Sequence, residues 1–176
     1  DEPWTAILVY GREVIRAVGP FVPAMKINVA FFERFQAEGI RVYHQLVGEA
    51  REAGLLVIGD VKRADIGHSS PQYAVAHLGD AGAAMPDAVT VNPYFGYDAI
   101  GPFVDLARNT GRGLFVLVQT SNESASQVQG LTLADGSTVC QNVARLVQSW
   151  AGAAGLVGKC GYSCVGAVVS PRDLES

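Results

Sequence analysis

Five apolar runs rich in β-branched residues alternate along the chain with segments of helical length, and no other feature constrains the fold as much. The runs are Phe21 to Lys26, Leu55 to Lys62, Ala88 to Asn92, Leu114 to Val118 and Val165 to Val169. Around them, apolar residues at helical spacing predict helices over Ile7 to Val18, Ala37 to Ala53, Ser70 to Ala84, Ala99 to Arg108 and Val139 to Ala154. Strands that alternate with helices in this way predict a parallel α/β fold, because each parallel strand needs a crossover to return the chain to the same edge.

Nearly every predicted strand runs out into polar residues: Lys26-Ile27-Asn28, Asp60-Val61-Lys62, Asn92-Pro93-Tyr94, Gln119-Thr120-Ser121-Asn122 and Ser170-Pro171-Arg172-Asp173. Both a (β/α)8 barrel and an open doubly wound sheet place chemistry at the carboxyl ends of their strands. Distribution favours the barrel. An open sheet concentrates its site at one switch point, usually beside a glycine-rich phosphate loop, whereas here polar residues follow every strand and no such loop follows any of them. A complete TIM barrel takes about 250 residues. With 176 residues and five strands, the expectation is a single barrel domain over residues 1–176, represented by an incomplete set of strands that lacks the first and the last. The closing segment Arg172-Asp173-Leu174-Glu175-Ser176 reads as the start of another helix.

Composition narrows the partners. A net charge of -4 with no block of Lys or Arg argues against a nucleic-acid polymer, whose non-specific binding rests on clustered basic residues. No apolar stretch reaches the roughly 20 residues of a membrane span. Three cysteines, Cys140, Cys160 and Cys164, make an odd set that suits a reducing cytoplasm, and Cys160 and Cys164, four apart, read as small buried thiols rather than a zinc site. His44 and His77 fall in helical stretches with structural or surface roles, and Phe31, Phe32 and Phe35 read as a helix face packed on the barrel.

The densest chemistry is Asp60-Val61-Lys62-Arg63-Ala64-Asp65, two carboxylates and a lysine directly after Leu55-Leu56-Val57-Ile58-Gly59. Side chains alternate along a strand, so Asp60 and Lys62 are expected to share a face while Val61 turns into the core. An isolated Asp-x-Lys is usually a surface ion pair of little consequence, but an apolar strand leading into it points to a site. Asp65 falls beyond the strand, in a loop that enters a helix at Ser69-Ser70.

Asp60 to Gly67 resembles the D-x-K-x-x-D-I element of orotidine 5'-phosphate decarboxylases, in the bacterial form D-x-K-R-G-D-I-G. The resemblance extends in order to Met25 to Glu33, Thr90 to Gly96 and Phe115 to Asn122, and so covers the chain from about Tyr10 onward. It implies a barrel that forms homodimers and converts orotidine 5'-monophosphate to uridine 5'-monophosphate in de novo pyrimidine synthesis, with neither metal nor organic cofactor. By the same resemblance Lys26 bonds a ribose hydroxyl, Asp60 lies beside the departing carboxylate and Lys62 protonates C6. Asp65 would reach the partner's ribose with Ile66 and Ser69 alongside; Ser121 would bond the pyrimidine, and Asn92 would face the same pocket. The physical logic agrees, since a pre-placed ammonium group stabilises charge that develops only in the transition state. Ala64 stands where glycine is usual and Ser69 where threonine is common. The family's first-strand aspartate, its late glycine-rich loop and its phosphate-binding arginine have no counterpart in these residues. Two other readings fit the pattern: a magnesium-dependent sugar-phosphate decarboxylase or synthase of the same barrel group, which needs a further acidic ligand, and a non-catalytic barrel fragment.

Overall fold

The computed structural model describes residues 2–80 and 84–171, so the helix expected at Arg172–Ser176 lies outside the described residues. Five strands, β1 (Ala24–Asn28), β2 (Leu56–Arg63), β3 (Ala88–Val91), β4 (Gly113–Gln119) and β5 (Val165–Val169), form one sheet in the order β1-β2-β3-β4-β5. Every pairing is parallel. This order decides between the two architectures left open by the sequence. A doubly wound sheet reverses direction at its switch point, whereas strands laid side by side in sequence order are the arrangement of a barrel wall. The structure is a partial TIM barrel.

The helices are α1 (Pro3–Val18), α2 (Ala30–Glu33), α3 (Gln36–Glu52), α4 (Ser69–Leu78), α5 (Tyr97–Thr110) and α6 (Val139–Ala151). In α3, Val42, Tyr43, Leu46, Val47 and Ala50 recur at helical spacing and are all buried; in α5, Ala99, Ile100, Phe103, Val104 and Ala107 do the same. These stripes pack against Val57, Val89, Val91, Leu114 and Val116 of the sheet. Local signals set the ends: Pro3 opens α1, a capping box of Thr138 and Gln141 opens α6, and Gly111, with φ +68, closes α5 in a conformation that costs glycine nothing.

Several boundaries differ from expectation. The first strand begins at Ala24 rather than Phe21, because Gly19–Phe21 forms a 3-10 turn around Pro20. Pro23 has no N–H to donate, and its carbonyl takes the Leu56 N–H at 3.1 Å. Helix α4 stops at Leu78, before an extended Gly79. The three phenylalanines do not form one buried face: Phe32 packs edge-on to Tyr43, Phe31 is exposed, and Phe35 lies outside α2 beneath the Arg34 guanidinium. Cys160 is exposed in the turn closed by the Val157–Ser163 bridge, which corrects the expectation of a buried thiol.

Close packing where α2 meets α3 yields a first prediction. A Cβ at Gly39 would sit 1.9 Å from the Phe32 carbonyl oxygen, a backbone atom that cannot yield without moving α2. Gly39→Ala should cost at least the usual 1–3 kcal/mol of overpacking, about that much or more, read as a lower unfolding midpoint in urea. An unchanged midpoint would show that the joint relaxes freely.

Candidate active site

Residues that alternate onto the inner face of the sheet change character from one end to the other. Ala24, Leu56, Ile58, Ala88, Gly113 and Phe115 line a largely apolar cavity of about 760 Å³ at the amino-terminal half. At the carboxyl end a second cavity, about 430 Å³, is walled by Lys26, Asp60, Lys62, Thr90, Leu117, Gln119, Thr120, Ser121 and residues 168–171.

Asp60 is the centre of that second cavity. Its residue is only 4% exposed, and its carboxylate takes a bond from each of two ammonium groups: Lys26 Nζ at 2.7 Å on Oδ2 and Lys62 Nζ at 2.6 Å on Oδ1. The Thr90 hydroxyl donates a further bond to Oδ1 at 2.9 Å. Burial pushes the Asp60 carboxyl up, but the bonds from Lys26, Lys62 and Thr90 and the Lys26 charge outweigh it and hold it below the ordinary 3.8. The two lysine side chains are about half exposed, so they keep access to whatever enters the cavity.

Simple strand alternation does not explain why Asp60 and Lys62 meet. Gly59 pairs with Val89 and Arg63 with Val91, so four steps along β2 answer two along β3, a bulge that interrupts the ladder. Within it Lys62 has φ +48, a left-handed conformation rare for residues with a side chain. Two contacts fasten the bulge. The Lys62 N–H donates to Thr90 Oγ1 at 3.0 Å, and Arg63 donates to the Val61 carbonyl at 2.7 Å while pairing with Glu33 of α2.

The remaining sequence candidates lie elsewhere. Ser121 lines the cavity rim. Asn92 is exposed, and its Oδ1 accepts the Tyr94 N–H at 3.0 Å, forming the turn after β3 rather than cavity wall. Asp65 and Ile66 sit on the loop between β2 and α4, Ser69 opens α4, and none of the three lines the cavity; Asp65 accepts the Ile66 N–H at 2.7 Å, and Ile66 and Ser69 are exposed. Of the histidines, His44 Nδ1 lies 3.0 Å from the Ala84 carbonyl, while burial, with Arg63 and His44 nearby, pushes His77 down to about 4. Neither touches the cavity.

One contributor, Thr90, escaped the sequence, as did the buried Tyr43 hydroxyl behind the sheet. Thr90 lies in an all-buried strand, Ala88–Val91, where threonine reads as one more β-branched filler. Tyr43 is buried in α3; burial and the Asp60 charge push its phenol well up, and its hydroxyl has no partner among the described residues. A glycine at 59 is what admits that hydroxyl, since a Cβ there would meet it at 2.5 Å.

The sequence profile of the orotidine 5'-phosphate decarboxylase / HUMPS family matches residues 10–175. The chain belongs to this family. It is 44% identical to the orotidine 5'-phosphate decarboxylase of Nocardioides sp. over 68% of this chain and 44% of the relative. It is 40% identical to that of Caldicellulosiruptor saccharolyticus across the whole chain and 59% of the relative. A crystal structure from Streptomyces avermitilis matches with a TM-score of 0.83 at 39% identity, covering 94% of this chain and 56% of that one. Leishmania donovani OMP decarboxylase matches with a TM-score of 0.78 at 29% identity, covering 96% and 61%. The chain thus spans about half the length of the curated family members it matches. Among the described residues, no helix is long and apolar enough to cross a membrane, and no group of three or more His, Cys, Asp or Glu could hold a metal ion.

Proposed function

We propose that this protein decarboxylates orotidine 5'-monophosphate to uridine 5'-monophosphate in the cytoplasm, as a carboxy-lyase built on one barrel domain that includes this chain. The observation that carries the reading is the buried Asp60 carboxylate held between Lys26 and Lys62 at the carboxyl end of a barrel wall. The names of the 40–45% identical relatives support it.

In this reading the bond from C6 to the carboxylate carbon breaks, carbon dioxide leaves, and the electron pair stays on C6 until the Lys62 ammonium delivers a proton there. The charge appears only as the bond breaks, so an ammonium group already fixed in place stabilises the transition state more than the substrate. Asp60 sits beside the departing carboxylate and anchors both lysines, Lys26 binds the ribose, and Ser121 serves the pyrimidine side. Asp65, Ile66 and Ser69 act in trans. Their position outside the cavity fits delivery to a second copy's ribose, which makes the working unit a homodimer. The chemistry calls on no metal and no organic cofactor.

The test is turnover of orotidine 5'-monophosphate by the full-length protein, followed by ultraviolet absorbance with and without EDTA. Equal rates in both are expected. Binding of uridine 5'-monophosphate with no turnover would overturn the enzyme assignment, and activity lost to the chelator would favour the magnesium-dependent chemistry of the same barrel group.

A further inference from the structure

We propose that Thr90 is a positioning residue that sets the geometry of the Lys26–Asp60–Lys62 array, its single hydroxyl fixing the Asp60 carboxylate and the Lys62 backbone together. The inference rests on the decarboxylase reading of the site and names a residue that reading does not use.

Thr90 is 2% exposed, between Val89 and Val91 in the most buried strand of the sheet. A hydroxyl in such a place is costly unless bonded. Here both of its capacities are used, and their direction is forced. The Lys62 N–H can only donate, so it takes a lone pair of Oγ1; the Asp60 carboxylate can only accept, so it takes the hydroxyl proton. Because Lys62 Nζ also bonds Asp60 Oδ1, the contacts close a ring that runs from the Lys62 backbone through Thr90 and Asp60 and returns to the Lys62 ammonium. Both ends of one lysine are therefore referred to the same hydroxyl.

The ring sits where the backbone most needs it. Ladder pairing between β2 and β3 is interrupted from Gly59 to Arg63, and Lys62 holds φ +48 inside that gap. The Thr90 hydroxyl bonds the Lys62 N–H where the ladder lapses, and so ties the left-handed residue to β3. A valine keeps the shape and the branching but loses both bonds; a serine keeps the bonds and loses only a methyl group.

The experiment compares Thr90→Val and Thr90→Ser with the wild type in the full-length protein. Thr90→Val should lower kcat by roughly ten- to hundredfold, with KM and uridine 5'-monophosphate affinity within about threefold, and Thr90→Ser should recover most of the rate. A carbon-detected titration of the Asp60 side chain should move to higher pH in Thr90→Val and stay near wild type in Thr90→Ser, because a lost donor no longer favours the charged carboxylate. Should Thr90→Val fail to fold, Thr90→Ala carries the same two readings. Wild-type turnover and an unmoved titration in the hydroxyl-free variant, or a serine variant no better than valine, would overturn the proposal. If the wild-type protein shows no turnover at all, the decarboxylase reading falls by itself, and the Asp60 titration still decides whether Thr90 positions the carboxylate.

Discussion

Replacing Lys62 by alanine should reduce turnover of orotidine 5'-monophosphate by about 10³- to 10⁴-fold while leaving affinity for uridine 5'-monophosphate within about tenfold. The upper figure is what a positioned general acid contributes. The split between rate and affinity follows from where the lysine acts. Its Nζ is 2.6 Å from Asp60 on a side chain about half exposed, so in the proposed reaction it would meet a charge that exists only after carbon dioxide begins to leave. An interaction made only in the transition state lowers kcat and kcat/KM together and leaves product binding largely intact. Calorimetric titration with the nucleotide beside the absorbance assay separates the two; equal losses in both would contradict the proton-donor role.

The second large effect is expected at Asp60→Asn. The substitution keeps the size of the side chain but leaves the Lys26 and Lys62 ammonium groups facing each other across a neutral amide. Turnover should fall by roughly 10²- to 10³-fold, the usual cost of removing one preorganised electrostatic element. Stability at neutral pH should drop by about 1–3 kcal/mol, since each lysine loses a charged partner while keeping access to water. The pH dependence has a definite sign. A carboxylate held below its ordinary 3.8 in the folded protein releases its proton more readily there than in the unfolded chain. Its stabilising contribution is therefore complete above the unfolded value and is lost as pH falls through the depressed folded one. The gap in urea-unfolding free energy between wild type and Asp60→Asn should be constant from pH 7 to about 5 and should shrink only in stronger acid. A gap that closes near pH 6 would mean that burial had won over the hydrogen bonds.

How much of this was legible beforehand depends on the physical scale of each signal. The strands and long helices were, because a β-branched run or a stripe such as Val42, Leu46 and Val47 must find an apolar partner in any fold. Among the local signals, the choice of barrel over open sheet was legible from the spread of polar strand ends; the strand order makes it plain. The meeting of Asp60 and Lys62 was expected from strand alternation, yet the chain brings them together through a bulge and a positive φ that no local pattern announces. Lys26 lies 34 positions from Asp60, and only the register Asn28 to Asp60 between β1 and β2 makes them neighbours. Thr90 was invisible for the opposite reason, since threonine suits a strand whether or not its hydroxyl has work to do. Asn92 shows the limit of reading a strand end as a ligand: the same short amide that could bind a base also makes a good turn, and here it bonds the Tyr94 N–H.

The cavity at the carboxyl end has one more consequence, which concerns arrival rather than chemistry. Among its lining residues the charged groups are Lys26, Lys62 and Asp60, so two cations and one anion leave a single positive charge at the mouth of a chain whose net charge is -4. The net charge of these residues repels a phosphorylated ligand, while the local charge at this opening attracts one. Field lines from such an opening are focused by the low-dielectric walls beside it, and their reach shortens to about 8 Å at physiological ionic strength. Added salt therefore weakens the long-range repulsion and the local pull together. The pull acts over a few ångströms and survives longest, so the encounter is governed by the last approach rather than by the net charge of the chain.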